Sequence, residues 1–247
     1  MTNPKYKKRG NFTNKEIDSM LKKAEKLPTE YFKLRTQCLI ALAKKFGKRR
    51  IEISRLERKD LTVNNETREL EVRFTLAKKR KRGLHQFFKH LEKHNPTELS
   101  KPLPILKAMW REWQKTEEGH SVNEQTALKS IDLKDKYAPY ILLYFDYLEQ
   151  NYPEVKYLFP SGYPVFGSAY VVEPGAHLSG SQLLRLIKPL TNGWLHLFRS
   201  TKGEETARQH GRTLESLHNV ATTLNVTDQT AVHYIEKYVP QKQPIET

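Results

Sequence analysis

The sequence predicts a mainly helical chain with a small antiparallel β-sheet. Two observations carry this reading. Apolar residues recur at helical spacing between capping and breaking residues along most of the chain, and one short stretch, Leu61 to Leu76, alternates as a hairpin does. The 247 residues suffice for one large domain or two small ones with a buried core.

The elements follow in order. Residues 1–10 carry Lys5, Lys7, Lys8 and Arg9 with no apolar face, which fits either a basic flexible arm touching phosphates or a solvated tail. Thr13 and Glu16 form a capping-box pattern, so a helix starts there and runs to about Lys26 on the apolar row Ile17, Met20, Leu21 and Ala24. Pro28 breaks it. A second helix spans Glu30 to Phe46, stopped by Gly47, and Arg49 opens the next segment. Leu61–Val63 and Leu70–Leu76 flank the turn Asn64-Asn65-Glu66-Thr67 as a hairpin, which ends in the basic run from Lys78 to Arg82. Helical patterns return at Leu84–Lys93, Ile105–Lys115 and Lys136–Asn151. Tyr152–Gly180 is rich in Pro and Gly and reads as a long loop or an irregular strand region. Helical signals resume from Ser181 to Tyr238, broken near Asn192-Gly193, Gly211 and Asn225.

Composition narrows the partner. A formal charge of +15 and a pI near 9.7 leave a large positive surface, which favours a polyanion, with nucleic acid first. There is no long apolar run, no apolar signal region after Met1 and no lipidation motif, so a soluble intracellular protein is expected. The single cysteine, Cys38, lies in an apolar stretch and reads as core filler, and no disulfide or cysteine zinc site forms within the chain. His90 and His94 stand at metal-ligand spacing, but their order is not the zinc-protease pattern and the surrounding lysines repel a cation.

Four separated motifs suggest phosphate chemistry. Gly47-Lys48-Arg49-Arg50-Ile51-Glu52, followed by Leu56 and Asp60, puts an arginine and a glutamate three residues apart on one side of a helical turn. Trp194-Leu195-His196-Leu197-Phe198-Arg199 puts imidazole and guanidinium on one helix face while Leu195 and Phe198 turn inward. Tyr234 follows Arg199 by 35 residues, and between the first and second motifs stand the consecutive bases Lys78, Lys79, Arg80, Lys81 and Arg82. Taken singly, each has a plain structural explanation: an exposed ion pair, a chance His-x-x-Arg, a packing tyrosine, a solvated basic loop.

Taken in order, they resemble the catalytic domain of tyrosine recombinases and phage-type integrases, from about Asn11 to Tyr238. The resemblance implies that Arg49 and Arg199 hold the scissile phosphate, with Arg50 the fallback for the first, and that Glu52 supports Arg49. His196 is implied as acid/base and phosphate ligand, and Tyr234 as the nucleophile that leaves a 3′-phosphotyrosine, with Tyr238 its rival. A lysine after the second strand is implied as general acid to the departing 5′ oxygen, and Lys78 takes that role, with Lys79 its close alternative, while Lys79, Arg80, Lys81 and Arg82 contact DNA. Nine residues before the tyrosine the family has His or Trp, and this chain has Asn225, which can donate a hydrogen bond but lacks imidazole's acid/base capacity. His218 is a possible substitute.

The implied domains are a basic arm at 1–10, a catalytic domain at 11–238 and a tail at 239–247. The resemblance further implies no cofactor, double-stranded DNA as partner, a monomer that becomes a tetramer on DNA, and a cytoplasmic, nucleoid-associated location, or a host-cell interior for a mobile element. The family's amino-terminal helical domain is not recognisable in the sequence. Two other readings stay open: a non-catalytic helix-turn-helix regulator or architectural protein, in which Thr227 caps a groove-binding helix, and a type IB topoisomerase that relaxes supercoils.

Overall fold

A computed structural model describes residues 11–77, 82–113, 115–116, 126–164, 170–191 and 195–239. Helix α1 (Asn14–Ala24) begins at a complete capping box: the Thr13 hydroxyl accepts from the Glu16 N–H, and the Glu16 carboxylate accepts from the Thr13 N–H. Its apolar row Ile17, Met20, Leu21 and Ala24 is buried. Helix α2 (Glu30–Phe46) ends at Gly47, whose φ of +57° lies in the left-handed region that a side chain resists.

The segment Cys38–Ala43 of α2 is at most 1% exposed on every side, so α2 is the central helix of the core. It packs against α1, α6 (Ala138–Asn151) and α8 (Leu195–His210). Burial of each large apolar side chain there contributes about 2 kcal/mol. This fixes the end of α2, and with it the short helix α3 (Arg50–Ser54), against the rest of the chain.

Strands β1 (Leu61–Asn64) and β2 (Glu69–Thr75) form the expected hairpin, with Leu61 opposite Val72 and Asn64 opposite Glu69. A third strand, β3 (Thr126–Asp132), lies beside β2 in the order β1-β2-β3. The sequence does not announce β3, because its inward positions are Ala127, Lys129 and Ile131 while Leu128 is 55% exposed, which inverts the usual alternation. Between Tyr152 and Gly180, β4 (Pro160–Pro164) and β5 (Tyr170–His177) pair antiparallel with an irregularity between Pro160 and Gly162. That irregularity and the prolines hide the period-2 signal of this ribbon.

The C-terminal half is helical: α7 (Gly180–Thr191), α8, α9 (Leu214–Leu224) and α10 (Asp228–Tyr238). Ala207, Val220, Ala221, Leu224, Ala231 and Ile235 form a shared core among α8, α9 and α10. Thr213 and Thr227 cap α9 and α10, and Asn225 closes α9 with φ +50°, a conformation asparagine tolerates better than most residues.

The chain divides into two compact units, one within Met1–Val72 and Lys129–Thr247, the other within Arg73–Leu128. The second holds α4 (Arg82–His94) and α5 (Leu103–Trp113), built on Phe87, Leu91, Leu106 and Trp113. There the His90 ring lies 4.7 Å from that of His94 and 5.7 Å from that of Trp113, so His90 is an aromatic packing partner.

Candidate functional site

The end of α2 starts the site. Gly47 turns the chain, and Arg49, at the N-cap of α3, is tied to its own helix by Glu52. The Glu52 carboxylate accepts 2.8 Å hydrogen bonds from both the backbone N–H and the Nη1 of Arg49. Glu52 is fully buried and the Arg49 side chain is 22% exposed, so the carboxylate fixes the guanidinium from below while its outer edge stays open. Arg50, by contrast, is exposed and its side chain lies over Gly180, which makes Arg49 the arginine that faces the site.

Arg199 comes from the first turns of α8 and is 4% exposed. Its Nη1 donates to the Gly47 carbonyl at 2.9 Å and its Nη2 donates to the Leu224 carbonyl. Both acceptors are carbonyls at helix C-termini, those of α2 and α9, where the helix dipole favours a cation. Burial, then the nearby Arg49 charge, lowers the Arg199 pKa to about 10, against the opposing pull of Glu52 and Tyr234. Arg199 remains a cation at neutral pH.

His196 stands one turn before Arg199 on α8 and is solvent-exposed. Desolvation, followed by the charges of Arg199, Arg49 and Lys237, pulls its pKa below the usual imidazole value. It is therefore a neutral base or hydrogen-bond donor at pH 7. Tyr234, half-buried on α10, packs its ring against Gly203 so closely that a Cβ there would stand 2.5 Å from the Tyr234 ring. Gly203 is four residues beyond Arg199 on α8, so the Tyr234 ring packs on that helix one turn from the position that carries Arg199.

Arg199 thus lies within electrostatic reach of Arg49, His196 and Tyr234, residues drawn from three helical segments. Glu52 lies beneath them. Lys78, Lys79, Arg80 and Lys81 lie outside the described residues, as does Trp194; Arg82 is the first residue of α4. Asn225 has a structural role as the left-handed cap that presents the Leu224 carbonyl to Arg199. His218 is exposed on α9, and the rival Tyr238 has its ring 6.1 Å from that of Tyr234.

Three lysines to which the motifs assign no role add their charge here. Lys48 is 2% exposed, and burial, with Lys129, Arg199 and Arg49 pushing the same way, lowers its pKa to about 8 against the pull of Glu52. Lys129, on the inward face of β3, is the first of those charges, and burial lowers its pKa too. Lys237, three residues beyond Tyr234, contributes to the field at His196. Lys48 was visible inside the first motif, but nothing local distinguishes a buried lysine from a solvated one in a basic run.

The site therefore concentrates two guanidiniums, at least one ammonium and an imidazole near one buried carboxylate, chemistry suited to holding an oxyanion. No protein-family model matches the chain, and no curated protein matches it. Among solved structures, the XerH site-specific recombinase bound to difH substrate in a pre-cleavage complex is similar, with a TM-score of 0.56 and 14% identity over 92% of this chain and 50% of that one. The fold is recombinase-like. A post-cleavage complex of XerH with palindromic difH gives the same TM-score, 0.56, and 14% identity over 96% of this chain and 53% of that chain. The chain thus spans about half the length of the recombinase chains it matches. Mainly helical with small antiparallel sheets, the recombinase-like fold is the one expected of a tyrosine recombinase catalytic domain. No described helix is long and apolar enough to cross a membrane.

Proposed function

We propose that this chain cleaves and rejoins DNA at specific sites through a covalent 3′-phosphotyrosine on Tyr234. The observation that supports the reading is Arg199, held by the carbonyls of Gly47 and Leu224 within electrostatic reach of Arg49, His196 and Tyr234, while Glu52 fixes Arg49. The two arginines hold the non-bridging oxygens of one phosphodiester. The phenolic oxygen of Tyr234 forms a bond to phosphorus as the bond from phosphorus to the 5′ oxygen breaks. Neutral His196 accepts the phenolic proton, and an ammonium, Lys78 or Lys79, protonates the departing 5′ oxygen. The guanidiniums supply the charge stabilisation that a phosphoryl transition state requires. The phosphotyrosine conserves the bond energy, so a second DNA hydroxyl reseals the strand by the reverse sequence.

Double-stranded DNA is the partner, with a monomer assembling into a tetramer on it. The DNA-bound state of the similar XerH structures supports the choice of partner. The packing of α9 and α10 about Asn225 favours a second reading, a helix-turn-helix regulator that binds DNA without cutting it. One experiment separates them. Incubation with a pool of nicked suicide duplexes of randomised sequence is expected to give an SDS-resistant protein–DNA adduct, lost in Tyr234→Phe while DNA affinity is retained. Equal binding by both proteins with no adduct from either sinks the cleavage reading in favour of the regulator.

A further inference from the structure

The segment between β2 and β3 folds into a unit of its own. Residues 73–128 hold 12 Lys and Arg against six Asp and Glu, a net of +6 over 56 residues, while the other 191 residues carry the remaining +9. Net positive charge per residue is thus more than twice as high in the inserted unit. Its core accounts for only one face of each helix: Phe87 and Leu91 on α4, Leu106 and Trp113 on α5. Lys89 and Lys93 stand four residues apart on the face of α4 opposite Phe87 and Leu91, and Lys107 and Arg111 repeat that spacing on α5.

All four of these side chains are exposed. The nearby carboxylates do not neutralise them, because Glu98 is paired with Lys101 and Glu112 with Lys115. Among the described residues, Lys89, Lys93, Lys107 and Arg111 have no ion-pair partner, and Glu92 is the one carboxylate on α4 and α5 left over. Four uncompensated cations, set in two pairs on rigid helices, cost folding energy by self-repulsion and gain it back only against a polyanion.

We infer that the inserted helical unit is a second DNA-gripping surface, in which Lys89, Lys93, Lys107 and Arg111 contact duplex phosphates without reading sequence. Rows of cations on helices suit backbone phosphates, and the choice of DNA as the polyanion rests on the cleavage reading above. The unit then supplies affinity and the clamp supplies chemistry.

The test uses the full chain. The quadruple variant Lys89→Gln/Lys93→Gln/Lys107→Gln/Arg111→Gln is compared with a control of equal charge loss on α1 and the turn that follows it, Lys15→Gln/Lys22→Gln/Lys23→Gln/Lys26→Gln. Fluorescence anisotropy of a short duplex of mixed sequence gives affinity as a function of salt, and circular dichroism checks that each variant is folded. Each lost phosphate contact lowers the slope of log K against log salt by about 0.9, so the quadruple variant is expected to lose about 3 to 4 while the control keeps the wild-type slope. An unchanged slope in a folded quadruple variant, or an equal loss in the control, overturns the inference. The suicide-duplex adduct is measured alongside at saturating protein. An adduct with unchanged slopes refutes the gripping surface alone, and a lowered slope with no wild-type adduct refutes the cleavage reading alone.

Discussion

Glu52→Gln is the perturbation that most sharply separates an organised anion site from a cluster of basic residues. Glu52 is fully buried, accepts two 2.8 Å hydrogen bonds from Arg49, and opposes the charges of Lys48 and Arg199. Glutamine keeps the shape but removes the charge, leaving three cations with one another's repulsion and no offset. Removing one partner of a buried ion pair costs about 3–5 kcal/mol, and because Arg49 stays partly open to water the cost falls below that range, to about 2–3 kcal/mol. For a chain of this size that lowers Tm by roughly 5–10 °C. The loss is expected to shrink when sulfate is added, since an anion in the clamp replaces the missing charge and stabilises the folded state by mass action. Thermal unfolding followed by circular dichroism, with and without sulfate, measures both effects. A Tm for Glu52→Gln within about 1 °C of wild type, with no larger response to sulfate, refutes the idea that Glu52 balances a clamp.

Three further outcomes follow from the same geometry. Gly203→Ala places a methyl group 2.5 Å from the Tyr234 ring, so it is expected to displace the phenol and reduce adduct formation at least tenfold while leaving DNA affinity within about twofold of wild type; a rate equal to wild type contradicts the packing. Lys48→Met removes an ammonium whose pKa is about 8 in the folded chain against 10.5 in the unfolded one. The variant should be more stable at pH 7 by up to about 3 kcal/mol. Below pH 8 both states hold the proton and the full cost is present, whereas between pH 8 and 10.5 the unfolded chain holds more protons and stability rises with pH. The variant should lose that rise in urea titrations at the two ends of the window. His196 has a lowered pKa, so the acid limb of adduct formation should have its midpoint below 6.5, and His196→Asn should remove that limb; a midpoint above 6.5 contradicts the assignment.

Local chemistry made much of the fold readable. The Thr13 capping box, the Gly47 stop and the break at Asn225 each need a particular residue at a particular backbone conformation, and each stands where the sequence places it. The same holds for Arg49 with Glu52 and for His196 with Arg199, whose three-residue spacing fixes them to a common face. What escaped detection depends on partners distant in the chain. Lys129 faces inward on a strand whose leucine faces out, and Lys48 is buried by elements it does not touch in sequence. The Leu224 carbonyl, freed by the left-handed turn at Asn225, becomes an Arg199 acceptor only after α8 and α9 have packed. The separate core of the inserted unit, Phe87 with Trp113, was likewise hidden in what read as two ordinary helices.

Peptide mapping of the trapped protein–DNA adduct tests the central claim most directly. Trypsin releases Thr213–Lys237, in which Tyr234 is the one tyrosine, and sends Tyr238 into the next fragment. The account predicts that the residual nucleotide is carried by Thr213–Lys237, on Tyr234. Nucleotide on the fragment that begins with Tyr238, or on any other peptide, contradicts it.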